Sequence, residues 1–520
     1  MGSVEVNRDS IRPYDGVLPI FRLRERSRAG TDYVLRLADE VTSGAEHRQL
    51  SDSVTGVYQD KRLVAFVDAA TAEARMFPQL ELLTPARGLA DRAREVATDL
   101  NRDTELFPED RTGRQVLDAS VLRGSRASHR RVDAAAEYLA VARIRRDVAG
   151  LPVVGKGSQA TIAVSADAVE AVTHSWRAAE AVEEVSGSDI DPDRVAELIV
   201  DDLRVAAEDK DLRVESAELV YYDGDQDFLQ PVFRYRATYG RDDEPTGRLL
   251  GYVPAVKLFE GLRVTVPVAA RLPKDSVVKA RPRLRNNAPN IGRYVVREDN
   301  AGWVTSANSF LSGLRAAKLF NPSFAPVDRQ YYWAEPRLFT DENHEFVDGV
   351  QVALTEVHGN WGLFTTLKNN ADFVRLDGIP SDGYGGADGN GLLAYWILHS
   401  CEVIPTSTDS ATSYDVWWNI FNGLHAALGY RTEMWINDEI SSKFGFWAGL
   451  GAPMISNWLS TIINDDSYSS SDTYWDGNVK MTEPMGRPSA VTVMGHSDDT
   501  IFDTFPLPRP SVLQQWWFDN

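Results

Sequence analysis

Two short apolar runs in the last third of the chain constrain its fold most strongly. Val350 to Val357 leads into His358-Gly359-Asn360, and Gly391 to Leu398 leads into His399-Ser400-Cys401-Glu402. Each run has the length and apolar character of a buried strand. Cys401 is the only cysteine in 520 residues. A thiol and an imidazole at the ends of two nearby buried strands suit nucleophilic acyl chemistry. The thiol attacks, the imidazole manages the proton, and backbone N–H groups around Gly359 face a developing oxyanion.

The chain around this pair divides into two kinds of sequence. Of 13 tryptophans only Trp176 and Trp303 precede residue 330; the others run from Trp333 to Trp517. The last third reads as α/β, with a mostly parallel sheet flanked by helices. Helices are expected over Ser306–Leu319, Val416–Leu428 and Phe446–Ile463, with strands at Thr432–Ile436 and Ala490–Met494 beside the two described above. In such sheets functional groups collect at the carboxyl ends of strands, where His358 and Cys401 fall.

The first part reads as α+β modules, each a helix followed by antiparallel strands. Val34, Leu35, Leu37, Ala38 and Val41 share one helical face, and strands follow at residues 56–58, 63–68 and 72–77. A second copy starts at Asp191-Pro192, an N-cap with a first-turn proline, and continues with strands at 217–222, 232–239 and 249–253. Between the copies, helices are expected over 134–144 and 168–185, with a strand at 161–164. The expected division is 1–84 and 151–290 as α+β modules, 85–150 as a helical region, and 291–520 as the α/β domain.

Composition narrows the partners. A net charge of −21 argues against a nucleic-acid surface, which normally presents a basic face. One cysteine rules out an internal disulfide framework. The N-terminus lacks the basic and apolar regions of a signal peptide, and no apolar stretch is long enough to span a membrane. A cytoplasmic protein with a peptide or small-molecule substrate, and neither nucleic-acid nor membrane partners, is therefore expected.

At His358-Gly359 and Ser400-Cys401 the C-terminal third resembles the caspase-like (clan CD) cysteine peptidases, a superfamily that includes caspases, gingipains, clostripain and legumain. Its members end one strand with His-Gly and a later strand with the nucleophilic cysteine, in this order. The 43 positions between the two residues (401 − 358) leave room for one crossover. The chain is also similar to an uncharacterised bacterial family on this fold. Trp333-Ala334-Glu335, the Gly-rich lead-in to the Cys strand, and Gly423-Leu424-His425 leading to Leu428-Gly429-Tyr430 carry that likeness. The resemblance implies Cys401 as nucleophile, His358 as general acid/base, and Gly359 at the oxyanion, with no metal or organic cofactor. Many superfamily members have a small residue before the cysteine and glycine two after it; Ser400 and Val403 stand there in this chain.

Asn360, Trp361, His399 and Glu402 flank the pair and are the expected substrate contacts, with Trp361 walling an apolar pocket. His399 lies two residues before Cys401, on the same strand face, and is a rival base. Glu356 could orient His358 but reads better as a solvated or core-edge carboxylate. His425 reads as structural, and the isolated His47, His129 and His174 as surface or helix-face residues. The Gly-rich segment 378–391 lacks a phosphate-loop ending and reads as a mobile loop over the site. The acidic stretch from Asn464 through Asp476 lacks EF-hand spacing and reads as a solvated loop. Two further readings stay open: acyl transfer, cyclisation or isomerisation of an apolar small molecule by the same pair, and a non-catalytic pseudopeptidase scaffold.

Overall fold

The computed structural model describes residues 3–24, 29–102, 106–107, 112–155, 157, 159–207, 211–224, 226–241, 244–256, 289–297, 301–321, 324, 326–367, 372–434, 436–465, 468, 471–476 and 479–519. Its C-terminal part consists of β1 (Asn290–Val295), α1 (Ala301–Ala316), β2 (Val327–Trp333), β3 (Val352–Glu356), β4 (Tyr395–His399), β5 (Ala426–Tyr430), α2 (Asp438–Leu450), α3 (Met454–Ile463), β6 (Pro488–Val493) and β7 (Val512–Phe518). Strands β2, β1, β3, β4 and β5 lie side by side and parallel. Antiparallel β6 and β7 extend this sheet beyond β5. The architecture is α/β, a large mixed sheet with flanking helices. No helix among the described residues is long and apolar enough to cross a membrane.

The sheet does not stop at β7. That strand pairs with Ser120–Ser128, which leads through Ala136–Val148, Gln159–Val164, Val169–His174 and Glu73–Met76 to Arg62–Asp68, Val54–Gln59 and Glu46–Gln49, all antiparallel. One hydrophobic core, containing Phe66, Trp176, Trp303, Trp396 and Trp458, runs beneath both halves. A second core, with Phe21, Ile199, Tyr221 and Phe233, belongs to the helix Pro192–Ala207 and the strands around it. Strand Val17–Leu23 pairs with Ala179–Ser186 and with Phe228–Leu229. Strand pairing thus crosses the expected boundaries at 84, 150 and 290; residues 257–288 of the 151–290 module lie outside the described residues.

Several expected helices are strands. Residues 136–148 and 169–174 pair into the sheet, and 179–186 pairs with Val17–Leu23. Within 85–150 the one α-helix among the described residues is Leu89–Leu100. Alanine favours helix intrinsically, but Tyr138, Val141, Ile144 and Val148 are buried between strands on both sides, and that packing outweighs propensity. The expected helix 416–428 is a single turn, Trp417–Ile420, followed by β5. Thr432–Met434 and Ile436 lie outside any strand, and Trp435 is outside the described residues. The expected long helix 446–463 is two helices, because Gly451 closes α2 at φ +94° and Pro453 sits at the N-cap of α3. Asn437 caps the start of α2 by accepting from the N–H groups of Glu439 at 2.9 Å and Ile440 at 3.2 Å. Helices α1 and α2 approach closely at two glycines: a methyl on Gly313 would stand 2.0 Å from the Ser442 carbonyl oxygen, and one on Gly445 2.3 Å from that of Phe310.

The Gly-rich segment lies at the opposite end of β4 from Cys401. Gly383, Gly385 and Gly386 pack against backbone at 391 and 419–424, and Asp348 accepts from Gly385 N at 2.8 Å and Leu393 N at 3.1 Å. It is an anchored support for the start of β4 and not a loop over the cysteine. Asp465, expected in a solvated loop, is buried and accepts from Asn437 at 2.9 Å; Asp466 is outside the described residues.

Burial pushes the Asp348 carboxyl up to about 6, against the opposing pull of these N–H donors. Its folded pKa therefore exceeds its unfolded one, and folding takes up a proton between about pH 4 and 6. The stability this group contributes is present below that window and lost as pH rises through it, on the order of 2 to 3 kcal/mol. Urea titrations across pH 4 to 7 are expected to show a shallower fall in stability for Asp348→Asn than for the natural chain.

Candidate functional site

The register of β3 against β4 fixes the site. Val352 stands opposite Tyr395 and Glu356 opposite His399, with the pairing unbroken between them. Two residues beyond each strand come His358 and Cys401. The Val357 N–H still donates to the His399 carbonyl at 3.4 Å, so the two chains leave the sheet together. A methyl added to Gly359 would stand 2.1 Å from Ser400 Oγ and 2.6 Å from the Cys401 carbonyl oxygen. Only a glycine lets the histidine segment lie this close to the cysteine segment.

Past the sheet the histidine chain enters a three-stranded antiparallel ribbon, His358–Asn360, Leu363–Thr365 and Phe373–Arg375. The His358 ring is half-buried and meets the Trp303 ring edge-on, with centroids 5.1 Å apart. Cys401 is also half-buried, its sulfur 4.0 Å from the Met434 carbonyl oxygen. Glu402, directly after it, holds φ +50°, and its N–H donates to the Thr432 carbonyl at 3.0 Å. A left-handed conformation in a non-glycine residue costs about 1 to 2 kcal/mol, so surrounding contacts hold this turn in place. Trp361 and Phe373, 51% and 49% exposed, present apolar surface on the ribbon beside the pair. The Asn360 side chain turns back to accept from Trp361 N at 2.6 Å.

His399 does not reach this surface. It is 1% exposed, and its Nδ1 lies 2.9 Å from Oε1 of Glu356, which is wholly buried. Ser306 on α1 donates to the same carboxylate oxygen at 2.8 Å and lies 2.8 Å from Ser441 on α2. The His399 ring stacks on Tyr430 with the Trp458 edge beside it. The expected roles of His399 as substrate contact and rival base are therefore corrected: the parallel register places it against Glu356, under the two helices. Glu356 is likewise a deep core partner of His399, not a core-edge group. Burial holds the Tyr430 phenol well above its ordinary range, with acidic neighbours, Asp465 foremost, adding to the rise.

Sequence reasoning named Cys401, His358, Gly359, Asn360, Trp361 and Glu402 as candidates and did not name the neighbouring groups Trp303, Ser306, Ser441 and Tyr430. Trp303 had a visible signal, as one of only two tryptophans before residue 330. The two serines had none, since Ser306 meets Glu356, and Ser441 meets Ser306, only through helix packing.

A family model described as a domain of unknown function (DUF6345) matches residues 292–483, which include both His358 and Cys401. No curated protein matches the chain. Among solved structures, an uncharacterized protein from Eubacterium rectale is 14% identical, covering 49% of this chain and 88% of its own, at a TM-score of 0.25. A secreted C11 cysteine protease from Bacteroides thetaiotaomicron, solved with an irreversible peptide inhibitor, is 9% identical, covering 57% of this chain and 62% of its own, at a TM-score of 0.15.

Replacing Glu356 by alanine leaves a buried imidazole and two serines facing an apolar gap. A loss of about 3 to 5 kcal/mol is expected, with a much smaller loss for Glu356→Gln, which keeps an acceptor. Chemical denaturation of the two variants at one pH measures the difference.

Proposed function

We propose that this chain is a cysteine-dependent hydrolase of the caspase-like type, acting on a peptide or related acyl substrate. The Cys401 thiolate attacks the carbonyl carbon, and electrons move onto the carbonyl oxygen as the C–S bond forms. The backbone N–H groups of Gly359 and Cys401 hold that oxyanion. His358 gives a proton to the leaving amine as the C–N bond breaks, and then takes one from the water that hydrolyses the thioester.

The observation that carries this reading is the contact of Gly359 with the Ser400 side chain and the Cys401 carbonyl oxygen, which sets the histidine and cysteine segments side by side beyond the carboxyl ends of β3 and β4. Both key side chains are half-buried, open enough to meet substrate and shielded enough to strengthen local electrostatics. Exposed Trp361 and Phe373 offer an apolar bank for a substrate side chain.

A thiol-directed irreversible probe and a mixed peptide library test the proposal. Cys401→Ala is expected to lose labelling and to lower turnover by about a thousandfold or more, and His358→Ala to slow both. Labelling and turnover unchanged in Cys401→Ala would refute the assignment.

A further inference from the structure

At the other end of β5 from Cys401, His425, His496 and Asp499 converge, one ligand-type atom from each lying within 4.8 Å of the other two. His425 Nδ1 is 2.6 Å and His496 Nδ1 2.8 Å from the same oxygen, Asp499 Oδ2. His425 Nε2 faces the Phe505 carbonyl at 2.7 Å, an acceptor only, so that nitrogen carries a hydrogen. With it there, a neutral ring turns the Nδ1 lone pair toward a carboxylate oxygen. Something positive must lie between them: a second proton, or a metal ion. A ligand imidazole whose other N–H is held by a backbone carbonyl is the usual support of a metal-bound histidine.

The frame around the cluster is rigid. Asp498 accepts from Leu80 N at 2.8 Å, and Ser497 N donates to Glu81 at 2.7 Å. Asp503 accepts from Thr500 N at 2.8 Å, and Tyr395 OH donates to the Thr500 carbonyl at 2.7 Å. These bonds hold the backbone that carries His496 and Asp499, while His496 stays partly open to solvent. We propose that His425 Nδ1, His496 Nδ1 and Asp499 Oδ2 bind one divalent transition-metal ion of the zinc class, with a water completing a tetrahedral set. Two imidazoles and a carboxylate suit zinc better than calcium or magnesium, which take oxygen donors. Tetrahedral ligation at about 2.0 to 2.1 Å separates donor atoms by about 3.4 Å, so Asp499 Oδ2, at 2.6 and 2.8 Å from the two nitrogens, withdraws by about 0.6 to 0.8 Å when the ion enters. The ion would pin the β6–β7 connection to the start of β5, and it does not rest on the hydrolase reading.

The test is zinc binding by the chelator-stripped full chain, measured in competition with a chromophoric chelator, with cobalt(II) as a spectroscopic substitute. One zinc per chain and visible cobalt bands of a four-coordinate site are expected. His496→Ala and Asp499→Asn should each weaken binding by about a hundredfold or more, and Cys401→Ser should leave it unchanged. Absence of stoichiometric binding, the outcome in which a second proton alone fills the gap, overturns the proposal. So does binding that survives both replacements or disappears with the cysteine. Should either variant fail to fold, the cobalt spectrum of the natural chain, four-coordinate or not, decides the matter.

Discussion

Glu356 has no exposed surface, and donors from two neighbouring elements hold its Oε1. His399 from β4 and Ser306 from α1 meet its Oε1, and Ser306 in turn lies 2.8 Å from Ser441 on α2. Sliding β3 by one residue against β4 would turn Glu356 to the other face and strand both carboxyl and imidazole. The register is thereby locked, and with it the position of each strand's exit. The segments carrying His358 and Cys401 leave the sheet side by side because the buried pair two residues earlier sets the alignment of β3 and β4.

The same alignment explains why the site sits between rigid parts. Below it, α1 and α2 touch through Gly313 and Gly445 and close over the Glu356–His399 pair. Trp303, on the first turn of α1, then presents its ring to His358. Beyond the sheet, the ribbon bearing Trp361 and Phe373 is tied back by the Arg297–Asp372 ion pair at 2.5 Å. The far end of β4 is secured separately, by Asp348 and the glycine-rich segment. Both ends of the cysteine strand are thus set by buried acidic groups, one paired with an imidazole and one with backbone N–H donors.

The candidate pair was legible in the sequence because it lies at the ends of two apolar runs, and a strand's carboxyl end is a local property. The first helix and its following hairpins were legible for the same reason, as was the Asp191-Pro192 start of the helix Pro192–Ala207, where Asp191 accepts from Asp193 N at 3.0 Å. Residues 134–144 and 168–185 were not. Alanine-rich and lacking a clean alternation, they carry a helical signal that only burial between neighbouring strands reverses. His399 was misplaced because strand parity gives its face but not what covers that face.

By itself the sequence determined which groups follow the two central strands, where the helix Pro192–Ala207 begins, and that no disulfide framework holds the fold, since all of these depend on neighbouring residues alone. The tertiary structure decided the rest: one sheet running from Glu46 to Trp333 across the expected boundaries, His399 sealed against Glu356, and His425 joined to His496 and Asp499. Each of those brings together residues far apart in the chain. Their pairing follows from which apolar faces bury one another, a choice made by the whole core and encoded in no single segment.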